Sequence, residues 1–137
     1  MVRVMVAGTF DFLHPGHLDL FRQAKELGDE LVVVVSRDAS AEKTKGQKPL
    51  FSEIERLEMV ASVRYVDLAR LGNPGDWFAV VKELRPDVLL LGYDQKIDEA
   101  ALGVFLEKNG LTTRVVRGIG FETYKFKSSM LKKHIGV

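Results

Sequence analysis

The chain has 137 residues, the length of one ordinary domain, and its 46% apolar content is enough for a single core of that size. Twenty Lys and Arg against 19 Asp and Glu leave a formal charge of +1, which excludes a general electrostatic case for a nucleic-acid or anionic-membrane partner, so anion-binding chemistry has to be local. Without cysteine there are no disulfides, thiolate metal sites or cysteine nucleophiles, and with no signal-peptide pattern and no apolar run near the ~20 residues that span a bilayer, a cytoplasmic protein is expected.

The Val-rich runs RVMVAG (3–8) and ELVVVVS (30–36) predict two strands, and Leu18, Phe21, Ala24 and Leu27 predict a helix between them that stops at Gly28-Asp29. SRDASAEKTKGQKP (36–49), with four basic residues, reads as a long mobile loop. Ser52 with Glu55 forms a capping-box pattern ahead of a helix over 52–63 that turns Ile54, Leu57 and Val60 or Ala61 inward. A strand follows around RYVDLARL. DWFAVVKELRP (76–86) predicts a helix closing on Pro86, and DVLLLG (87–92) predicts a further strand. IDEAALGVFLEKNG and LTTRVVR add a helix and a fifth strand, and KSSMLKKHI ends the chain as a short helix. Alternating strands and helices give an α/β fold: one domain over 1–137, a Rossmann-like, doubly wound, five-stranded parallel sheet in the order 3-2-1-4-5. In that order strands 1 and 4 are neighbours at the switch point, where ligands bind beyond the carboxyl ends of the strands.

The predicted ends of strands 1 and 4 carry GTFDFLHPGH and GYDQ. Pro15 suits the first turn of a helix and Gly16 permits close approach to the backbone, so the free N–H groups and dipole there form an anion site. His14 and His17 flank that Pro-Gly and suit hydrogen bonding to phosphoryl oxygens, although two caps on a helix end would have the same spacing. Thr9 and Asp11 flank Phe10: either the Thr9 hydroxyl and consecutive backbone N–H groups hold phosphate, or a tight Gly-Thr turn is capped by Asp11; the residues alone leave both open. Lys43, Lys45 and Lys48 either close over a triphosphate or form a solvated basic loop. Asp94 either accepts from a nucleoside or ends a turn, and Ser128 and Ser129 either meet phosphate or cap the last helix. No GxxxxGK[ST] loop, zinc spacing or G-x-S-x-G elbow is present, and GIG at 118–120 is too short for a dinucleotide fingerprint.

The run GTFDFLHPGHLDLFRQAKELGDELVVVVSRD, with His14-Pro15-Gly16-His17 as its H-x-G-H motif, resembles the cytidylyltransferase-like nucleotidyltransferases. The similarity continues through KPLFSEIERLEMVASVRYVD and RPDVLLLGYDQ to the terminal serines. Within that family GYDQ and FKSS most resemble archaeal FAD synthases. The glycerol 3-phosphate cytidylyltransferases usually end R-x-x-G-I-S-[ST]-[ST], whereas here Arg117-Gly118-Ile119-Gly120 is separated from the serines by FETYKFK.

The resemblance implies in-line transfer of a nucleoside monophosphate to a phosphate-bearing acceptor with release of pyrophosphate. ATP is the favoured donor, with CTP as the alternative, FMN is the favoured acceptor, and Mg²⁺ is bound with the triphosphate. It assigns His14, His17 and Lys48 to the reacting phosphates, Thr9, Phe10, Pro15, Gly16 and Asp94 to the nucleotide, and Arg117, Phe121, Ser128 and Ser129 to the remaining contacts. Phe121, Tyr124 and Phe126 either stack on a flavin or anchor the C-terminal segment. No protein-held metal is implied, and a homodimer is. A non-catalytic nucleotide sensor on the same sheet is the competing class; it gives no reason for paired histidines.

Overall fold

The structure is a computed structural model that describes residues 1–75 and 77–120. The predicted tail helix and Phe121, Tyr124, Phe126, Ser128 and Ser129 lie outside the described residues. The elements are β1 (Arg3–Gly8), α1 (Pro15–Leu27), β2 (Glu30–Val35), α2 (Asp38–Lys45), α3 (Glu53–Ala61), β3 (Leu68–Leu71), α4 (Phe78–Leu84), β4 (Val88–Leu91), α5 (Glu99–Lys108) and β5 (Arg114–Arg117). All four strand pairings are parallel, in the expected order β3-β2-β1-β4-β5.

Strand side chains alternate between two apolar layers, which is why the strands read as unbroken runs of Val and Leu. Val4, Val6, Val33, Val35 and Leu90 face Phe21 and Ala24 of α1 and Val60 of α3. Met5, Val34, Leu89 and Leu91 face Val80 and Val81 of α4 and Leu102 and Leu106 of α5. Gly28 permits the tight return from α1 into β2, because a Cβ there would lie 2.7 Å from a Val4 methyl and 2.8 Å from the Val2 carbonyl. Among the described residues no helix is long and apolar enough to cross a membrane.

Three local expectations are corrected. The connection after β2 is not an extended loop: 38–45 forms α2, ended by Gly46 at φ 79. Burial through Ala41 and a backbone N–H of Asp38 held by Glu53 give that polar segment enough support for two turns. In α3 the capping box is present as expected, but Ile54 is 61% exposed and Ala61 is also on the surface, while Arg56 takes the inward place beside Leu57 and Val60. Leu18 is likewise exposed on α1, whose buried stripe is Phe21 and Ala24 with Leu20 and Leu27 at its margins.

Register opens the switch point. β1 pairs with β2 along all six residues, from Arg3 with Glu30 to Gly8 with Val35. It pairs with β4 at only two positions, Val4 with Val88 and Met5 with Leu89. Past these the two strands part, and a crevice opens between their carboxyl ends.

Candidate active site

The turn leaving β1 is shaped by Gly8 and Phe10. Phe10 adopts the left-handed region at φ 53, at a backbone cost of about 1–2 kcal/mol for a non-glycine residue. Its ring offsets this by folding back over Gly8 into the core, 5.3 Å from Phe21 and 5.2 Å, edge to face, from His17. A Cβ on residue 8 would lie 2.8 Å from that ring, so glycine is required there. Phe10 is 5% exposed, which leaves its backbone rather than its ring to meet a ligand.

Pro15 takes the first position of α1, and His14 is the residue before it, with extended backbone angles. The His14 Nδ1 accepts from the Gly16 N–H at 3.1 Å, and the His14 carbonyl accepts from the N–H of His17 at 2.9 Å and Leu18 at 3.2 Å. An accepting Nδ1 places the proton of neutral His14 on Nε2. The His14 and His17 rings stack, centroids 3.8 Å apart and planes 23° from parallel. So His14 is a cap, and the same geometry sets the two imidazoles face to face at a helix N-terminus.

Both histidines are neutral at neutral pH in the free protein. Burial lowers the His14 pKa, with the Asp94 charge acting in the opposite sense. Burial is also the first cause at His17, and the neighbouring His14 and the Lys45 charge lower it further; a backbone hydrogen bond to Phe12 opposes them, and the result is about 3. Its buried Nδ1 has no hydrogen-bond partner. An anion brought to this pair would favour the protonated rings, so their charge follows the charge presented to them.

The remaining expected residues gather around this pair. The Thr9 hydroxyl accepts from Ser36 Oγ at 3.1 Å, which ties the ends of β1 and β2 together. Asp11 is 2% exposed and does not simply cap its own turn: its carboxylate accepts from the N–H groups of Leu50 at 2.8 Å and Phe51 at 2.9 Å. Lys48, an exposed residue, therefore sits two positions before a clamped segment. Asp94, on the loop after β4, lies near enough to act on His14. That loop is set by Gln95, whose side chain accepts from the Gly92 N–H at 3.1 Å and donates to the Ala7 carbonyl at 3.0 Å, bridging the crevice between β4 and β1. Arg117 also holds it, donating through Nη1 to the carbonyls of Gly92 at 2.8 Å and Gln95 at 2.6 Å, and pairing with Glu99.

The structure thus brings Thr9, Phe10, His14, Pro15, Gly16, His17 and Asp94 to one end of the sheet, with Lys48 on the adjoining segment and Arg117 on the loop that carries Asp94. Phe121, Ser128 and Ser129 are outside the described residues. Sequence reading missed Ser36, Arg56 and Gln95. None of the three left a signal: with Ile54, Leu57 and Val60 or Ala61 expected inward, Arg56 falls on the polar side of the helix. Among the described residues no three His, Asp or Glu side chains converge to hold a metal ion. A Mg²⁺ that arrives on a triphosphate keeps several waters and needs no such cage.

Comparison with known proteins shows the family. The model of the cytidylyltransferase-like family matches residues 5–134. The chain is 44% identical over 135 residues to the FAD synthase of Thermoplasma volcanium, covering 98% of this chain and 94% of that protein. It is 47% identical to the FAD synthase of Thermoplasma acidophilum, with the same coverage of both chains. A crystal structure of a T. volcanium protein described as a lipopolysaccharide core biosynthesis protein superposes with a TM-score of 0.84 at 46% identity, covering 89% of this chain and 99% of that one. With its parallel sheet, its H-x-G-H helix start and a family match over nearly its whole length, this chain belongs to the cytidylyltransferase-like family of nucleotidyltransferases.

Proposed function

We propose that the protein transfers the adenylyl group of ATP to the phosphate of FMN, forming FAD and pyrophosphate. The observation that carries the transfer chemistry is the stacked, neutral His14–His17 pair at the N-terminus of α1, beside the crevice between β1 and β4. A phosphate oxygen of FMN attacks the α-phosphorus, the bond from that phosphorus to the bridging oxygen of the β-phosphate breaks, and pyrophosphate leaves in line. No protein nucleophile is needed, so catalysis consists of positioning and charge stabilisation. His14 and His17 would donate to the reacting phosphates, and Lys45 and Lys48 would offset their charge. The Mg²⁺ that accompanies ATP supplies further neutralisation of phosphate charge.

The choice of ATP and FMN is supported by the relatives named FAD synthase, which match the chain almost end to end. Incubation with Mg²⁺, ATP and FMN followed by chromatography of the flavins tests it, with FAD expected. Pyrophosphate release from CTP and glycerol 3-phosphate without any FAD would replace this reading with the cytidylyltransferase one. A working homodimer, which the family resemblance implies, is part of the same proposal. Sedimentation at micromolar concentration checks it, with twice the chain mass expected.

A further inference from the structure

Arg56 is a fully buried charged side chain that the transfer chemistry above does not use. Its guanidinium reaches four acceptors. Nε donates to the Phe51 carbonyl at 3.0 Å, Nη1 to the carbonyls of Thr9 at 2.9 Å and Ser36 at 2.8 Å, and Nη2 to Asp38 Oδ1 at 2.8 Å. These belong to the turn after β1, the end of β2, the start of α2 and the segment before α3.

Stability alone is a weak reason for burying a guanidinium, because apolar residues of similar volume often serve as well in a core. What a planar fork adds is several oxygens held at fixed angles, which an ammonium or a methionine does not reproduce. The consequence at the turn follows from peptide geometry. In a trans peptide the N–H lies opposite the C=O, so drawing the Thr9 carbonyl to Arg56 turns the Phe10 N–H away from it. A carbonyl oxygen that would repel a phosphate is thereby kept inside.

The second consequence concerns the lysines. Arg56 clamps the span 38–51 at its start, through Asp38, and at its end, through Phe51, where Asp11 holds the same backbone from the other side. Lys45 and Lys48 lie between those two clamps. Burial works against the Asp38 carboxylate, but hydrogen bonds from Arg56 and the Glu53 backbone, together with the Lys48 charge, outweigh it and keep its carboxyl below the usual range. The Lys45 charge in turn acts on His17.

We propose that Arg56 is a positioning residue for the triphosphate: by clamping Thr9, Ser36, Asp38 and Phe51 it sets the lysine-bearing span 38–51 against the His14–His17 anion site. This rests on the nucleotidyl-transfer reading of the site. It makes Arg56 specific to the donor nucleotide and indifferent to the acceptor. Arg56→Lys keeps the charge and loses the fork; Asp38→Asn weakens one arm and leaves the three carbonyl contacts.

The experiment compares both variants with wild type by circular dichroism, by calorimetric binding of α,β-methylene ATP, and by KM for ATP and FMN in FAD formation. Folded Arg56→Lys is expected to raise the analogue Kd and the ATP KM at least tenfold and to lower kcat, with the FMN KM within twofold. Asp38→Asn should give a two- to fivefold rise in the same two nucleotide constants. The proposal is overturned if folded Arg56→Lys keeps wild-type nucleotide constants, or if the ATP and FMN constants rise together as in a general loss of structure. Should Arg56→Lys fail to fold, Asp38→Asn decides, and unchanged analogue affinity there overturns it. Wild type that binds the analogue but makes no FAD sinks only the FMN reading, since analogue affinity still reports on Arg56. Wild type that binds no analogue overturns both.

Discussion

His14 and His17 stack with their ring centroids 3.8 Å apart, and at that distance the two imidazoles disfavour carrying positive charge together. The free site therefore offers neutral donors to an incoming triphosphate, and its charge rises only with the anion in place.

Replacement of either histidine should remove a preorganised donor to the transition state, worth about 3 kcal/mol, or a turnover loss of at least ~100-fold. His14→Asn is the cleaner variant at the first position, since Asn is also a good residue before a helix and preserves that cap. His17→Ala serves at the second. Pyrophosphate release measures the effect, and near-normal turnover in both folded variants would remove the histidines from the chemistry.

The folded and unfolded states titrate differently at His17. Burial first, then His14 and Lys45, hold it near 3 in the fold, against 6.5 in a free side chain. Between those values the unfolded chain binds the extra proton, so this contribution is intact above about pH 6.5 and is lost as pH falls toward 3. From pH 7 to pH 4 the loss is about 3 kcal/mol. His17→Asn lacks the titrating ring, so urea unfolding should show the stability gap between wild type and variant moving in the variant's favour on acidification. A gap that stays the same at both pH values contradicts the shift.

Asp11→Ala would leave the half-buried N–H groups of Leu50 and Phe51 without their acceptor, at about 1–3 kcal/mol for each group left unsatisfied. We expect a total loss of about 2–4 kcal/mol in urea unfolding, given partial access of water to this surface segment. Faster hydrogen exchange at amides 50 and 51 should accompany it. Stability equal to wild type would mean that the clamp carries no weight.

Helix α2 buries only Ala41, so its apolar support is small even though it is formed in the structure. Lys43, Lys45 and Lys48 gain charge-assisted hydrogen bonds when a triphosphate is present. Amide exchange over 42–48 should be rapid in the free protein and slow by at least about tenfold with saturating MgATP. Identical protection in both states would separate this segment from nucleotide binding.

Gly8→Ala tests the turn itself. The added methyl would lie 2.8 Å from the Phe10 ring, which is locked between His17 and Phe21. Overpacking of this kind costs about 1–3 kcal/mol and would displace His17 with the ring, so stability and turnover should fall together. A fully active, equally stable variant would show that the ring is free to move.

Much of the fold could be read directly because the decisive signals are local. RVMVAG, ELVVVVS and DVLLLG are apolar throughout, as strands covered on both faces have to be, and Pro15, the Gly28 stop and the Ser52–Glu55 box mark helix ends by rules that involve a few neighbouring residues. Short right-handed connections then left few strand orders to choose from. The histidine pair was visible for the same reason, since Pro-Gly at a strand end places both rings on one helix start.

What depended on tertiary structure was everything set by partners distant in the chain. In the sequence the turn around Asp11 stayed open between a phosphate cradle and a local cap; in the fold its carboxylate accepts from the N–H groups of Leu50 and Phe51. Arg56 falls outside the expected Ile54–Leu57–Val60 face of α3, and it is buried because four oxygens from four segments converge on its guanidinium, while Ile54 stays exposed. Gln95 had no reading at all until β1 and β4 diverged and left Ala7 and Gly92 for its carboxamide to bridge. Periodicity reports which way a side chain tends to face, but whether a charged group can be buried depends on backbone carbonyls brought together only when the sheet assembles.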